Sequence, residues 1–424
     1  MRKSYILLLS LLGLLSCSNN STNSEYVLNY DIVTPYTNAD TWTAYNAFND
    51  NLLDKVTHIY KKDTNTSDGA DTKSNLGAIW TQATYWNMAM NAYKRAVKEG
   101  DAAKQTQYKQ LVDDIFEGSK NHYVNFNWHD QNFENGWFIY DDIMWWTIAT
   151  ANAYALFKDE KYLDLADESF CRVWYGSYLL KDRGSYDSVN GGMFWKWNNS
   201  DPADKSDHAK MACINFPTVV AAMNLYNGIS PSDTKHQKDD TVGFDGNGNY
   251  PRWHSRDTYL KNAKDIYAWA VDNLFDKSTG NVADSRTDNS VDWTATIYNQ
   301  ATFIGASCLL YKATGDNTYL TNAVTAATYA TKTMSAPYDI LPFKDGEEQG
   351  IYTAIFAQYM ALLVYDCGQT QFLPWIQRTI NYGWNNRDKR NLTGKDYTKA
   401  PGSNISCYDA SGIPALMVLF PSDK

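Results

Sequence analysis

Five stretches of the sequence share one pattern: "QYKQLVDDIFEGSKNHY", "KYLDLADESFCRVW", "TYLKNAKDIYAWAVDNLFD", "TYLTNAVTAATYATKTM" and "QFLPWIQRTINYGW". Each opens on a polar residue followed by an aromatic one, namely Tyr108, Tyr162, Tyr259, Tyr319 and Phe372. Apolar residues then recur at three-to-four spacing, the period of a helix with one buried face. The aromatics lie 54, 97, 60 and 53 residues apart, and the long interval holds a Gly/Asp/Asn-rich stretch, 228–250, that reads as an inserted loop. Directly before each stretch comes a second type of helix, richer in small residues: "WTQATYWNMAMNAYKRA", "MWWTIATANAYALF", "NFPTVVAAMNLYNG", "NQATFIGASCLLYKA" and "IYTAIFAQYMALLVYD". A helix near 39–56 and a last one near 404–420 complete twelve, or six antiparallel hairpins. Such repeating units cannot bury their faces alone and must stack on their neighbours. An open superhelix and a closed ring both satisfy that demand. Small residues suit a crowded inner ring, and pairing the first helix with the last closes it. The expected fold is therefore all-α, an (α/α)6 toroid filling residues 39–424 as one domain.

The loops alternate in length. Links inside a hairpin are short, as in "KDE" (158–160), "TGDN" (314–317) and "CGQT" (367–370). Links between hairpins are long: "VNFNWHDQNFENGWFIY", "DRGSYDSVNGGMFWKWNNSDPADKSDHAK", "DSRTDNSVDWTATIY" and "SAPYDILPFKDGEEQG". Alternating helix direction places all the long links at one end, over the N-termini of the inner helices. That end is expected to gather Trp128, Trp137, Trp195, Trp197 and Trp293 with many Asp, Asn and Gln, and loops on a rigid scaffold are where binding residues concentrate.

The remaining composition narrows the function. A net charge of −10 argues against nucleic acid, which needs a basic surface. The 15 Trp and 31 Tyr exceed what a core requires, and such rings stack well on sugars. Arg2 and Lys3 precede an apolar run too short to span a bilayer, ending at "LLSC". This resembles a bacterial lipobox, so residues 1–16 are expected to be a signal peptide and Cys17 the lipidated residue, followed by a polar tether to 38. The expectation is a cell-envelope lipoprotein of the outer membrane, facing either the periplasm or the exterior. Cys171, Cys213, Cys308, Cys367 and Cys407 show no C-x-x-C spacing and read as small core residues. "DGNGN" (245–249) begins like a calcium loop, but Arg256 stands where the bidentate glutamate belongs. No cofactor and no metal are expected, and the chain is expected to be monomeric.

One motif stands apart. "WFIYDDIMWW" (137–146) sets Asp141 and Asp142 among aromatic and aliphatic residues at the start of an inner helix. The helix dipole favours negative charge there. A second carboxylate beside the first feels a like charge and a desolvating wall, so its pKa rises. One ionised and one protonated carboxyl is the arrangement of a retaining glycosidase. Acidic first-turn residues also serve as plain caps. The flanking Trp137, Phe138, Tyr140, Trp145 and Trp146 are unusual for a solvated cap. Asp130, Asp292 and Glu347 are further acidic candidates in the long loops.

"YDDIMWW" resembles the Asp-Asp motif of glycoside hydrolase family 76, endo-α-1,6-mannanases with an (α/α)6 fold. "GGMFWKW" (191–197), "HAKMACINFPTVVAAMNLY" (208–226) and "IYNQATFIGA" (297–306) resemble further family segments in the same order, so the likeness runs from about 40 to 420. It implies Asp141 as nucleophile and Asp142 as acid/base in retaining hydrolysis of α-1,6-mannan. It also implies a sugar-lined groove of Asn190, Gly191, Gly192, Trp195, Lys210, Asn215, Tyr298, Asn299 and Gln300, with Trp137 and Tyr140 beside the pair. At "EEQGIYTAIFAQYM" the chain departs from the family's Phe-Lys-Gly-Ile-Phe pattern, and the lysine's subsite contacts are not carried over.

Two other readings compete. A non-catalytic glycan-capturing lipoprotein needs exposed tryptophans but no adjacent carboxylates, and often repeats every 34 residues or so, unlike the longer period here. Another toroidal glycosidase or lyase acting on uronides needs clustered cations in the long loops, which carry mainly Arg183, Lys196, Lys205, Lys210 and Arg286. A neutral sugar is favoured.

Overall fold

Six helices are apolar on every side, and six carry one buried stripe. This difference sorts them into two rings. The computed structural model describes residues 34–70, 76–130, 139–177, 179–195, 209–234, 255–336, 338–342, 344 and 348–422. Among these residues the outer helices are α1 (Asn38–Leu52), α3 (Ala102–His122), α5 (Glu160–Tyr175), α7 (Arg256–Leu274), α9 (Asn317–Thr328) and α11 (Leu373–Asn385). The inner helices are α2 (Ile79–Glu99), α4 (Tyr140–Phe157), α6 (Ala212–Gly228), α8 (Ile297–Thr314), α10 (Gln349–Ala361) and α12 (Cys407–Leu419). Each inner helix packs on the next, and α12 returns to α2, so the ring is closed. The (α/α)6 toroid expected from the repeat is the observed fold.

Small residues permit this closeness. A Cβ added at Gly350 of α10 would sit 2.0 Å from the Tyr408 carbonyl oxygen of α12. The seam where the chain's two ends meet is tied by hydrogen bonds. Tyr36 Oη donates to the Phe420 carbonyl at 2.6 Å, and Ser422 N donates to Asn38 Oδ1 at 3.1 Å. Arg95 of α2, buried, donates to the Met417 and Val418 carbonyls of α12 and to Asn38 Oδ1 of α1.

Capping differs between the rings in a way that matters for the site. The N-termini of α1, α3, α5, α7 and α9 are capped by Thr37, Asp101, Asp159, Ser255 and Asp316. At the opposite end, the inner helices α2, α4, α6 and α10 have no side-chain cap. Thr296 and Ser406 cap α8 and α12, and the dipole ends of all six inner helices converge on the loop-covered face, where Tyr140 N–H donates to the Trp195 carbonyl and Ala212 N–H to the Asp284 carbonyl. A small antiparallel sheet braces that face: β1 (Lys210–Met211), β2 (Ser285–Arg286) and β3 (Val291–Asp292) pair in the order β1-β2-β3. Among the described residues no helix is long and apolar enough to cross a membrane. The proposed signal peptide, Cys17, most of the inserted loop and "DGNGN" lie outside the described residues.

Candidate active site

Asp141 and Asp142 occupy the first turn of α4, at the end of the ring where the inner helices begin. Desolvation pushes the Asp141 carboxyl up to about 7, against hydrogen bonds from the Cys213 thiol, its own N–H, the Trp195 side chain and the Asp142 N–H. Its Oδ1 is buried and has no hydrogen-bond partner, a costly state for an ionised oxygen. Asp142 is driven well above the ordinary carboxylate range by burial, then by the charges of Asp141 and Glu348. Two adjacent carboxyls, both pushed upward by burial and repelling each other when charged, favour a state in which one is ionised and one keeps its proton. That is the electrostatic condition for one nucleophile and one acid.

An aromatic wall stands beside them. Trp80 of α2 lies 5.9 Å from Trp145 of α4, and Trp145 lies 6.4 Å from Tyr298 of α8, measured between ring centroids. Tyr298 stacks on Tyr352 of α10 at 4.6 Å and 14°. Burial holds the Tyr298 phenol well above its usual range, with Cys213 and Asp141 adding to the effect. Opposite, Glu348 immediately precedes α10, its carboxyl raised by burial. Tyr408 of α12 accepts a hydrogen bond from Ala78 N at 3.1 Å and senses both Glu348 and Asp142.

The remaining residues named from sequence fall into a supporting layer. Lys210 donates to Asp187 Oδ2 at 2.7 Å and to the Gly191 carbonyl at 2.6 Å, with its ammonium 5.1 Å from the Trp269 ring centroid. Burial works upward on Asp187, but Lys210 and the Asn190 and Val189 groups outweigh it and hold the carboxyl at about 2. Asn190 is exposed and bonds Asp187. Gly192 has φ +78, and a Cβ there would meet the Trp269 ring at 2.6 Å, so the Gly191-Gly192 turn is pressed onto Trp269. Asn215 is fully buried, accepting from Met193 N at 2.9 Å and donating to the Met193 and Met211 carbonyls. The product of this network is the placement of Trp195: its N–H donates to Ala209, and its carbonyl accepts from Tyr140 N.

Tyr140 is buried, and its hydroxyl donates to Asp182, which pairs with Arg172 at 2.6 Å. Gln300 is buried as well and fastens the turn at Gly280 and Val282, donating also to Ala326. Asn299 donates to Asp284 at 3.2 Å, while its Oδ1 is buried without a partner. Trp137 and Trp197 lie outside the described residues, as does Glu347. Trp128, expected at the loop face, is instead a core residue packed on Phe126, because its backbone carbonyl must receive the buried Arg172 guanidinium. Trp293 is 45% exposed. Asp292 caps Thr294 on a surface turn. Cys213, read as core filler from sequence, is buried where it senses the charge of Asp141. Cys213, Glu348, Asp284, Tyr352 and Tyr408 were not singled out by sequence reasoning.

The model of glycosyl hydrolase family 76 matches residues 44–230 and 251–411. The chain belongs to this family. A search of curated protein sequences finds no match. Among solved structures, the family 76 α-1,6-mannanase of Salegentibacter sp. HEL1_6 is similar at a TM-score of 0.67 and 20% identity, over 90% of this chain and 98% of that one. An inactive variant of that enzyme, with two aspartates numbered consecutively changed to asparagine, in complex with α-1,6-mannotriose, is similar at 0.68, with the same identity and coverage. A family 76 mannosidase of Bacteroides thetaiotaomicron is similar at 0.64 and 18% identity, over 90% of this chain and 96% of that one. Family 76 membership makes the chain a glycoside hydrolase, and these likenesses agree with its toroidal fold.

Proposed function

We propose that the chain cleaves α-1,6-mannosidic linkages within mannan, with net retention, using Asp141 as nucleophile and Asp142 as acid and then base. The observation that carries this reading is the pair of neighbouring buried carboxyls, both raised above the ordinary carboxylate range, on the first turn of α4. Asp142, protonated, gives its proton to the glycosidic oxygen while the Asp141 carboxylate attacks the anomeric carbon. Asp142, now ionised, takes a proton from water, which attacks the mannosyl-enzyme from the opposite face and releases Asp141. The N-terminal end of the α4 dipole favours the negative charge that passes between the two. Support for the residue roles comes from the Salegentibacter enzyme, whose inactive variant changes two consecutive aspartates. Support for the substrate comes from the α-1,6-mannotriose bound there.

Internal attack is favoured by the resemblance to the endo-acting enzymes of the family. In the same reading Cys17 is lipidated and holds the enzyme on the outer membrane as a monomer, with residues 17–38 as the tether. Digestion of linear α-1,6-mannan beside xylan, starch and pectin, with sizing of the products, tests the assignment. A ladder of mannooligosaccharides from mannan alone is expected. Release of mannose only overturns the internal mode, and cleavage of another polymer overturns the substrate.

A further inference from the structure

The mechanism leaves one buried ion pair unused. Arg172 of α5 meets Asp182, from the loop that follows, at 2.6 Å, and neither side chain is exposed at all. Arg172 also donates from Nε to the Trp128 carbonyl at 3.0 Å. With Oδ2 of Asp182 turned to the guanidinium, Oδ1 accepts from Gly184 N at 2.8 Å and from the Tyr140 hydroxyl. Tyr140 is the first residue of α4, directly before Asp141 and Asp142. Its side chain is buried, so the ring serves the protein and not a sugar. The backbone of Tyr140 is held as well, because its N–H donates to the Trp195 carbonyl at 3.3 Å. Both anchors belong to one loop. Phe194 N donates to the Ser185 carbonyl at 2.8 Å, Ser185 Oγ donates to the Phe194 carbonyl, and Tyr186 bridges Met193. Asp182 and Trp195 are thereby fastened to each other through paired backbone, and Tyr140 reaches from one to the other. We propose that Tyr140 is the positioning residue of the catalytic turn: its hydroxyl, held by the Arg172–Asp182 pair, and its N–H, held by Trp195, fix the direction in which Asp141 and Asp142 leave α4. This proposal rests on those two aspartates being catalytic.

The physics favours an ion pair as the anchor. Burying two charges adds little net stability over well-packed apolar side chains, so direction is what such a pair supplies. A carboxylate held by a guanidinium cannot rotate away from the hydroxyl, and the charge-assisted bond is stronger than a neutral one. The start of α4 needs such help. It has no side-chain cap, and its first internal bond, Ile143 N to the Ile139 carbonyl, is long at 3.4 Å. Precision matters here, since a reacting group misplaced by about 1 Å loses on the order of 100-fold in rate.

The test compares Tyr140→Phe, Asp182→Asn and the double variant with the wild-type full chain on α-1,6-mannotetraose. Tyr140→Phe deletes only the hydroxyl and leaves Asp182 with Arg172 and Gly184. It is expected to lower kcat by about 10-fold or more while KM stays within about 2-fold. Asp182→Asn is expected to lower kcat as well, and the double variant to fall no more than about 2-fold below the worse single one, because both changes break the same bond. An unchanged kcat in Tyr140→Phe, a rise in KM alone, or losses that multiply in the double variant overturn the proposal. A second measurement needs no substrate. Hydrogen exchange of the peptide at the start of α4, followed by mass spectrometry, is expected to quicken by about 10-fold or more in Tyr140→Phe, with the starts of α2, α6 and α8 unchanged. Unchanged exchange at α4, or protection lost across all the inner helices, overturns the proposal whatever the substrate. If the wild type leaves mannan intact while exchange rises at α4 alone, the anchoring stands and the substrate assignment falls by itself.

Discussion

The chemistry rests on two carboxyls that the protein makes uncomfortable. Both are raised by desolvation, and Asp142 further by Asp141 and Glu348, so the folded chain binds protons there more tightly than the unfolded chain does. A carboxyl raised in the folded state contributes stability that is fully present below its unfolded value, about 3.9, and is lost as pH climbs through the folded value. For Asp141 that window runs from about 4 to 7. The difference in Tm between wild type and the Asp141→Asn/Asp142→Asn double variant should therefore favour the wild type least at neutral pH and grow in its favour on acidification. A pH-independent difference in calorimetric scans would show that the pair is solvated. Each single asparagine variant is expected to lose at least about 100-fold in kcat, the scale of acid–base or nucleophilic assistance, without loss of Tm at pH 7. A large fall in Tm would mean that these residues serve as a cap instead. The pair was legible in sequence because two adjacent acids inside an aromatic run conflict with ordinary burial. Cys213 and Glu348 were not, since a lone cysteine in an apolar run and one acid among "GEEQ" carry no such conflict on their own.

At the scale of elements, the signal missed was register. Trp80, Asp141, Cys213, Tyr298, Gly350 and Tyr408 are the second residues of α2, α4, α6, α8, α10 and α12. Aligning the six inner helices by their starts collects Asp141 and four of the residues around the pair, with Gly350 as the narrow point where α10 meets α12. Sequence reasoning placed the aspartate pair at the start of one inner helix but did not align that start with the starts of the other five. The family resemblance grouped Lys210, Asn215, Gly191, Gly192 and Gln300 with the sugar contacts, and in the fold their side chains and backbones also hold turns. The reason is physical: Asn, Gln, Lys and Gly serve equally to bind a ligand or to satisfy a buried loop backbone, and only coordinates show which. Two expectations follow from that supporting layer. Gly192→Ala, strained at φ +78 and driven into Trp269, should cost about 1–3 kcal/mol in urea unfolding. Lys210→Met should uncouple Asp187 and loosen the loop segment that carries Trp195, lowering kcat/KM more than it lowers stability. An unchanged kcat/KM would detach that segment from catalysis.

Among the described residues the molecule is a ring closed by its first and last helices, and the helical period narrowed the choice to that ring or an open superhelix. Alternating apolar character, two kinds of helix and six repeats left only a superhelix or a toroid, and small residues in one set favoured closure. What periodicity does not carry is the seam, which depends on hydrogen bonds between residues more than 300 apart, such as Arg95 to Val418. Arg95→Met removes a buried donor set and strands the carbonyls of Met417 and Val418, at an expected cost of about 2–4 kcal/mol in denaturant unfolding. A loss below about 0.5 kcal/mol would show that water replaces those bonds readily. Because the N-termini of all six inner helices meet at one face, closure also fixes the distance between α4, α6 and α8, and with it the geometry of the catalytic pair. The most direct measurement of that claim is the anomeric configuration of the first product, followed by proton NMR during early hydrolysis of α-1,6-mannan. Two carboxyls sharing one helix turn, one attacking and one donating, should release the α-anomer first, with β appearing only by mutarotation. Initial release of the β-anomer would mean single displacement by water and would remove Asp141 from the role of nucleophile.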